Sequence, residues 1–174
     1  MLLGSCSADY GHVNSSKTVR PSARELPLLP GVPFRGSEAI AAGLITEYQL
    51  RTRCRRLFPD VYVNATCVIT PEVTVQAATL WAPPGSVIGG LGAALLHRER
   101  WYAPDAVGRS TDIYCDGAPR SARGVRIRRR ARGLPPAQVV ERQGILCTSA
   151  ARTAVDVGRW EDDDDKAIAK IDAV

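Results

Sequence analysis

Several kinds of residue are scarce in this 174-residue chain. Aromatic residues make up 6% of it, and lysine occurs only at Lys17, Lys166 and Lys170. Apolar runs are too short for a membrane-spanning helix, which needs about 18 or more consecutive apolar residues. The first residues lack the basic segment and apolar run of a secretory signal. We therefore expect a cytoplasmic protein that makes no use of a membrane.

Paired cysteines are also absent. The five cysteines are scattered, and the only histidines are His12 and His97. No C-x-x-C pair or zinc-ligand spacing occurs, so no metal site is predicted. An odd, dispersed set suits reduced thiols better than a disulfide framework.

Signatures of catalysis are missing as well. The chain has no G-x-S-x-G, no P-loop and no H-E-x-x-H motif. Asp112 and Asp116 flank a predicted strand without a lysine or glutamate in register, which is a weak nuclease signal. The sequence predicts no catalytic residue and no cofactor, and hence a protein that is not an enzyme.

Arginine is what the chain has in excess. Lysine and arginine total 23 residues, and because only three of them are lysines, 20 are arginines. Against 18 acidic residues this gives a net charge of +5. The planar guanidinium suits bidentate contacts to phosphates and to guanine edges. Nucleic acid is therefore the first ligand to consider.

The pattern along the chain predicts an α+β protein in three parts. Residues 1–33 carry Ser, Gly and Pro without sustained periodicity and are predicted to be a disordered leader. Residues 34–66 are predicted to form a winged helix-turn-helix, and residues 67–174 a small mixed α/β domain that is truncated at its C-terminal helix.

Local signals define the front unit. Ser37 is expected to cap a short helix that Gly43 ends. Thr46-x-x-Gln49 matches a capping box at the start of a second helix. Pro59-Asp60 then marks a turn between two short apolar strands.

In the second unit, Thr70-Pro71-Glu72 is a strong helix start that leads to about Trp81. Beyond it we expect a strand at Ser86–Gly89, a helix at Leu91–His97 and a helix after Thr148 or Ser149. A last helix is expected to begin near Asp165. The remaining predicted strands are Asp112–Cys115, Val125–Arg128 and Val139–Cys147.

Two groups of residues are predicted to bind nucleic acid. The first lies on the second helix and the strand after it, where the arginines would contact phosphates and Tyr48 or Gln49 would contact bases or backbone. Four neutralised phosphates would give a log–log salt slope of roughly −3.6. The alternative is a solvated basic face. The group is Thr46, Tyr48, Gln49, Arg51, Thr52, Arg53, Arg55 and Arg56.

The second group lies in the arginine-dense segment 120–132. Arg126, Arg128 and Arg130 alternate along a predicted strand and so share one face. Nucleic acid, an acidic partner or the acidic run at residues 161–165 could neutralise them. Arginines on an exposed edge strand also deter aggregation.

Four segments together resemble a known family. They are residues 43–50 (GLITEYQL), 56–63 (RLFPDVYV), 87–97 (VIGGLGAALLH) and 144–156 (GILCTSAARTAVD). They resemble AbiEi-family antitoxins of type IV toxin–antitoxin systems, and equally bacterial proteins in which the same front part precedes a domain similar to very-short-patch-repair endonucleases.

The resemblance implies an N-terminal winged helix that binds operator DNA and represses its own operon. It also implies a second unit that counters a nucleotidyltransferase-type toxin. Two alternatives remain open at this point. One is a non-catalytic recognition module left from a truncated two-domain nuclease-type protein, and the other is an arginine-rich protein-interaction domain.

Overall fold

The computed structural model of the protein describes residues 31–97, 111–115, 122, 124–129 and 134–172. Most of the predicted leader, residues 1–30, and Arg130 lie outside the described residues. Within those ranges the chain is a mixed α+β protein with six α-helices and two sheets.

The front of the described chain is a helix pair next to a small sheet. Strand β1 (Phe34–Arg35) leads directly into helix α1 (Gly36–Ala41), and α2 (Glu47–Arg53) follows after a short turn. Gly43 has φ +69°, a left-handed conformation that favours glycine after a helix end. Thr46 caps α2 with both hydrogen bonds of a capping box, as its spacing predicts.

A β-hairpin completes the small sheet. Strands β2 (Cys54–Phe58) and β3 (Val61–Asn64) are antiparallel, and the sheet order is β1-β3-β2. Asp60, with φ +59°, turns the chain between them. The predicted Pro59-Asp60 turn is therefore confirmed.

Each face of this hairpin packs against a hydrophobic cluster. Tyr62 packs on the cluster formed by Ala39, Ile45 and Leu50 of the helix pair. On the opposite face, Phe58 and Val61 enter a larger core. The hairpin is therefore a packed layer and not a projecting arm.

The second sheet has five strands. After helix α3 (Pro71–Trp81) come β4 (Val87–Gly89), helix α4 (Gly90–Leu96), β5 (Thr111–Cys115) and β6 (Val125–Arg129). A 3₁₀ turn at Pro136–Gln138 precedes β7 (Val139–Arg142) and β8 (Ile145–Thr148). The order is β6-β5-β4-β8-β7, with parallel pairing of β5 to β6 and of β4 to β8.

Small residues let α4 approach the sheet closely. A Cβ added at Gly92 would lie 2.9 Å from Cγ2 of Ile88 and 3.2 Å from Cγ2 of Thr111. The lack of a side chain at Gly92 therefore permits close packing of the helix on the strand. The helix buries Ala93, Ala94 and Leu96, whereas Leu91 and Leu95 are only half-buried.

Two helices end the described chain. Ser149 caps α5 (Ala150–Arg159) by accepting a hydrogen bond from the backbone N–H of Arg152. Helix α6 (Asp164–Asp172) packs on it through a close approach at Gly158, where an added Cβ would meet the side chain of Ile171. Acidic residues occupy the first turn of α6, where the helix dipole favours negative charge.

One hydrophobic core joins the two predicted units. Phe58 and Val61 of the hairpin share it with Val75 of α3 and Ile88 of β4. The rings of Phe58 and Trp81 lie 6.0 Å apart at their centroids. The boundary between residues 66 and 67 stays a prediction, but the parts on either side of it are packed together.

Two predictions of local structure are wrong. Ser37 is not the N-cap of α1. Arg35 occupies that position without a capping side chain, and the Asp60 carboxylate accepts from the backbone N–H of Ser37 at 2.9 Å and from its hydroxyl.

The segment Val139–Cys147 is a hairpin and not one strand. Gln143 and Gly144 both have positive φ, +53° and +76°, which is the geometry of a type I′ turn. The turn lies within the polar run from Glu141 to Gly144, which separates the apolar residues of the two strands.

Candidate nucleic-acid interface

Helix α2 presents one polar face to solvent. Leu50 is buried in a cluster with Ala39 and Ile45. The opposite side of the helix is exposed and carries Tyr48, Arg51 and Thr52, which follow one another at helical spacings of three and four from Tyr48. Tyr48 is 69% exposed. An exposed aromatic ring beside an arginine is suited to contact with a ligand, because its burial there would be favourable.

Much of the polar capacity of this helix is used internally. The side-chain oxygen of Gln49 accepts from the backbone N–H of Thr46 at 2.9 Å and also lies 3.1 Å from its hydroxyl. Thr52 donates its hydroxyl to the carbonyl of Tyr48 at 2.8 Å. Thr46, Gln49 and Thr52 therefore stabilise the helix, and the Tyr48 side chain and the amide nitrogen of Gln49 have no hydrogen-bond partner among the described residues.

Arginines surround the junction of α2 and β2. Arg51, Arg55 and Arg56 are exposed and Arg53 is half-buried. Arg55 lies opposite Val63 and Arg56 opposite Tyr62 in the hairpin, so these two side chains leave opposite faces of the edge strand β2. We call Arg51, Arg53, Arg55 and Arg56 the junction cluster.

The junction cluster carries no internal counter-charge in the part of the chain that the structure describes. The ion pairs found there involve Arg35, Arg126, Arg128, Arg152 and Lys166, and none involves a junction arginine. Like charges carried by neighbouring residues repel one another unless an anion is near. The positive charge of the cluster is therefore not offset by an ion pair among the described residues.

The hairpin turn lies at the far end from these arginines. Asp60 uses its carboxylate on Ser37, and its backbone carbonyl accepts from Gly36 N–H at 3.0 Å. A carboxylate at this tip would repel phosphate. Any contact of the hairpin with nucleic acid would therefore be made by its first residues, next to the end of α2.

Two of the arginines predicted on the second unit, Arg126 and Arg128, have a carboxylate partner. Arg126 and Arg128 both direct their Nε atoms at Oδ1 of Asp112, at 3.6 and 3.0 Å. Asp112 lies opposite Arg126 in the parallel pairing of β5 and β6, which places the three side chains on one face. Their predicted strand face is confirmed, and their binding role stays a prediction.

Asp112 is a deeply placed acid. Its side chain is 4% exposed. Burial raises the pKa of the Asp112 carboxyl above its ordinary value, and the two arginines work in the opposite direction. The Asp112 side chain lies beside the first residue of α4, Gly90. A Cβ added at Gly90 would lie 2.8 Å from Oδ2 of Asp112, so the close approach needs a glycine there.

A buried polar network lies beside this ion pair, and the sequence did not reveal it. Tyr114 donates its hydroxyl to Oδ2 of Asp156 at 2.7 Å. Arg152 donates to Asp156, to Tyr114 and to the side-chain oxygen of Gln138, each at 2.9 Å. The Arg152–Asp156 spacing of four on a helix is a signal that could have suggested one of these contacts.

Histidine and the acidic residues form no other recognisable chemical site in the described ranges. His97 places its Nε2 2.8 Å from the carbonyl of Thr148, which ties α4 to the end of β8. Among the residues the structure describes, no group of three His, Cys, Asp or Glu side chains could hold a metal ion. No helix in those ranges is both long and apolar enough to cross a membrane.

Comparisons of the chain with protein-family models, with curated proteins and with solved structures found no match.

Proposed function

We propose that this protein binds duplex DNA through the junction cluster and acts as an antitoxin-like transcriptional regulator. The observation that carries the proposal is the contrast between two sets of arginines. Arg126 and Arg152 have carboxylate partners, whereas the junction arginines have none among the described residues. Unpaired guanidinium groups on an exposed helix-to-strand junction match a row of phosphates.

In this proposal α1, α2 and the hairpin act as a winged helix-turn-helix. Tyr48 and Arg51 on the exposed face of α2 enter or border the major groove, and Arg55 and Arg56 contact the flanking backbone. Because Thr46, Gln49 and Thr52 make internal hydrogen bonds, phosphate contacts supply most of the affinity. The likeness of the four segments to AbiEi-family antitoxins motivates the regulatory part, with a nucleotidyltransferase-type toxin as partner.

The test is a salt series of duplex binding, followed by fluorescence anisotropy. The wild-type chain should bind a labelled duplex with a log–log salt slope of roughly −3.6 if four phosphates are neutralised. Replacing Arg51, Arg55 and Arg56 together by glutamine should make the slope less steep by about 2.7, since each lost contact removes about 0.9. Absence of wild-type binding even in about 50 mM salt, a condition that strengthens phosphate contacts, would overturn the proposal.

Arg142 provides a matched control. It is an exposed strand arginine of the second sheet, and its Nη1 donates to the carbonyl of Glu141. Arg142→Gln should leave the slope unchanged. A DNA fragment from upstream of the gene, compared with a shuffled duplex of equal length, tests the operator role. Equal affinity for the two would contradict regulation by operator binding.

A further inference from the structure

Arg128 is held in place from two directions. Its Nε donates to Oδ1 of Asp112 at 3.0 Å. Its guanidinium carbon lies 4.0 Å from the centre of the Trp160 ring, in cation–π contact. An anchored Nε and a stacked face together fix both the position and the plane of the guanidinium, so little side-chain entropy is left to lose on binding.

The outer edge of this guanidinium meets no partner in the part of the chain that the structure describes. No described residue accepts a hydrogen bond from the Nη atoms of Arg128, and its side chain is 32% exposed. Arg152 is the instructive contrast, because its Nε, Nη1 and Nη2 are all used, on Asp156, Gln138 and Tyr114. Arg152 uses all its donor atoms within the fold, whereas Arg128 is oriented by two contacts and its two Nη atoms meet no acceptor among the described residues.

The support around Arg128 comes from rigid elements. Asp112 is on β5, and Trp160 is the C-cap of α5, where its N–H donates to the carbonyl of Asp156 at 3.2 Å. Gly90 has φ +55°, and a Cβ there would lie 2.8 Å from Asp112 Oδ2 and 3.0 Å from the Trp160 ring. The absence of a side chain at Gly90 allows both supporting groups to converge.

We propose that Arg128 is a phosphate-binding arginine whose Nη atoms take two oxygens of one nucleic-acid backbone phosphate, with Asp112 and Trp160 as its positioning residues. The proposal rests on the proposed function, and it adds a contact on the second unit to those of the junction cluster. The planar fork matches two phosphate oxygens. The surrounding sequence 120–132 holds seven arginines and no acid, which suits a ligand with repeated negative charges better than a single acidic side chain.

The experiment measures duplex affinity and salt slope for Arg128→Ala, Arg128→Lys and the control Arg142→Ala. Arg128→Ala should weaken binding about tenfold, the scale of a charge-assisted hydrogen bond, and make the slope less steep by about 0.9. Arg128→Lys keeps a positive charge beside Asp112, so the variant should stay folded and keep the salt slope of the wild type. It should lose affinity by about threefold, because lysine lacks the planar guanidinium that contacts two phosphate oxygens. Arg142→Ala should bind like the wild type, because β7 and β6 are opposite edges of the sheet.

Trp160 supplies the test of positioning. Trp160→Leu should weaken duplex binding in the wild-type background but cause no further loss in the Arg128→Ala background, since its effect passes through Arg128. Trp160→Phe retains an aromatic face and should restore most of the affinity. Independent, additive losses would overturn the positioning role. Circular dichroism of each variant confirms that only folded protein is compared.

The outcomes separate this inference from the proposed function. If the junction triple variant loses binding but both Arg128 variants bind like the wild type, the inference is overturned and the proposed function stands. If no duplex binds, the proposed function fails. Arg128-dependent binding of inorganic phosphate alone would then assign the site to free phosphate and overturn the nucleic-acid source.

Discussion

The Tyr114 hydroxyl donates to Oδ2 of Asp156 over 2.7 Å, and so joins strand β5 to helix α5 across 42 residues of chain. Asp156 is buried, and its other oxygen accepts from Arg152 at 2.9 Å. The network therefore satisfies a buried carboxylate from two elements at once. Removing one of its members leaves a charged group short of a partner inside the protein.

Tyr114→Phe should lower the free energy of unfolding by about 1–3 kcal/mol, because the buried Asp156 carboxylate and the partly buried Arg152 guanidinium each lose a hydrogen bond. Urea denaturation measures the change. Tyr48→Phe is the matched control, since the Tyr48 side chain is exposed, and it should change stability by less than about 0.5 kcal/mol. Equal effects of the two substitutions would contradict the importance of the network.

The titration of Tyr114 should be displaced to high pH. Burial, together with the hydrogen bond to Asp156, raises the pKa of Tyr114 from 10.0 to about 12. Because the folded pKa lies above the ordinary one, the neutral phenol stabilises the fold fully below pH 10, and this contribution disappears as the pH rises from 10 to about 12. Phenolate absorbance should show one tyrosine ionising near pH 12. Tyr114→Phe should remove that step, and its free energy of unfolding should change less with pH between 10 and about 12 than that of the wild type.

Gly90→Ala should be strongly destabilising. The residue has φ +55°, and the new Cβ would lie 2.8 Å from Asp112 Oδ2 and 3.0 Å from the Trp160 ring. Left-handed strain of about 1–2 kcal/mol and overpacking of about 1–3 kcal/mol add at this position. Thermal or urea unfolding gives the total.

Gly43→Ala separates the two contributions to the Gly90 effect. Gly43 has φ +69°, but an added Cβ would meet nothing within 4 Å. Only the strain of about 1–2 kcal/mol should appear there. A cost at Gly43 as large as that at Gly90 would argue against the close approach of Asp112 and Trp160.

Asp60→Ala should weaken the link between the hairpin turn and α1. The substitution removes the carboxylate that accepts from Ser37 N–H at 2.9 Å, and it places alanine at φ +59°. The loss of a helix cap costs about 0.5–2 kcal/mol. Asp60→Asn keeps an acceptor oxygen and tolerates the left-handed conformation, so it should cost far less. Hydrogen exchange at the amides of Gly36 and Ser37 measures the effect locally, and unchanged exchange in Asp60→Ala would contradict the capping role.

Local chemistry determined much of the fold, and particular residues show how. The capping pair Thr46 and Gln49 defines the start of α2 because both hydrogen bonds lie within three residues. Thr70 and Pro71 define α3 in the same local way. The alternation of arginine along β6 also placed Arg126 and Arg128 correctly on one face, because strand periodicity is a property of the chain itself.

The tertiary structure decided which charges are free and which are neutralised. Arg128 meets Asp112 only because β5 and β6 pair in one register, and Asp60 reaches Ser37 only because the hairpin folds back on α1. Ion pairs and caps between residues far apart in sequence depend on strand order and packing, which no short window of sequence contains. The arginine content was therefore evident from the sequence. The packing of the sheet against the last helices decided that Arg152 uses all its donor atoms within the fold, whereas the Nη atoms of Arg128 meet no acceptor among the described residues.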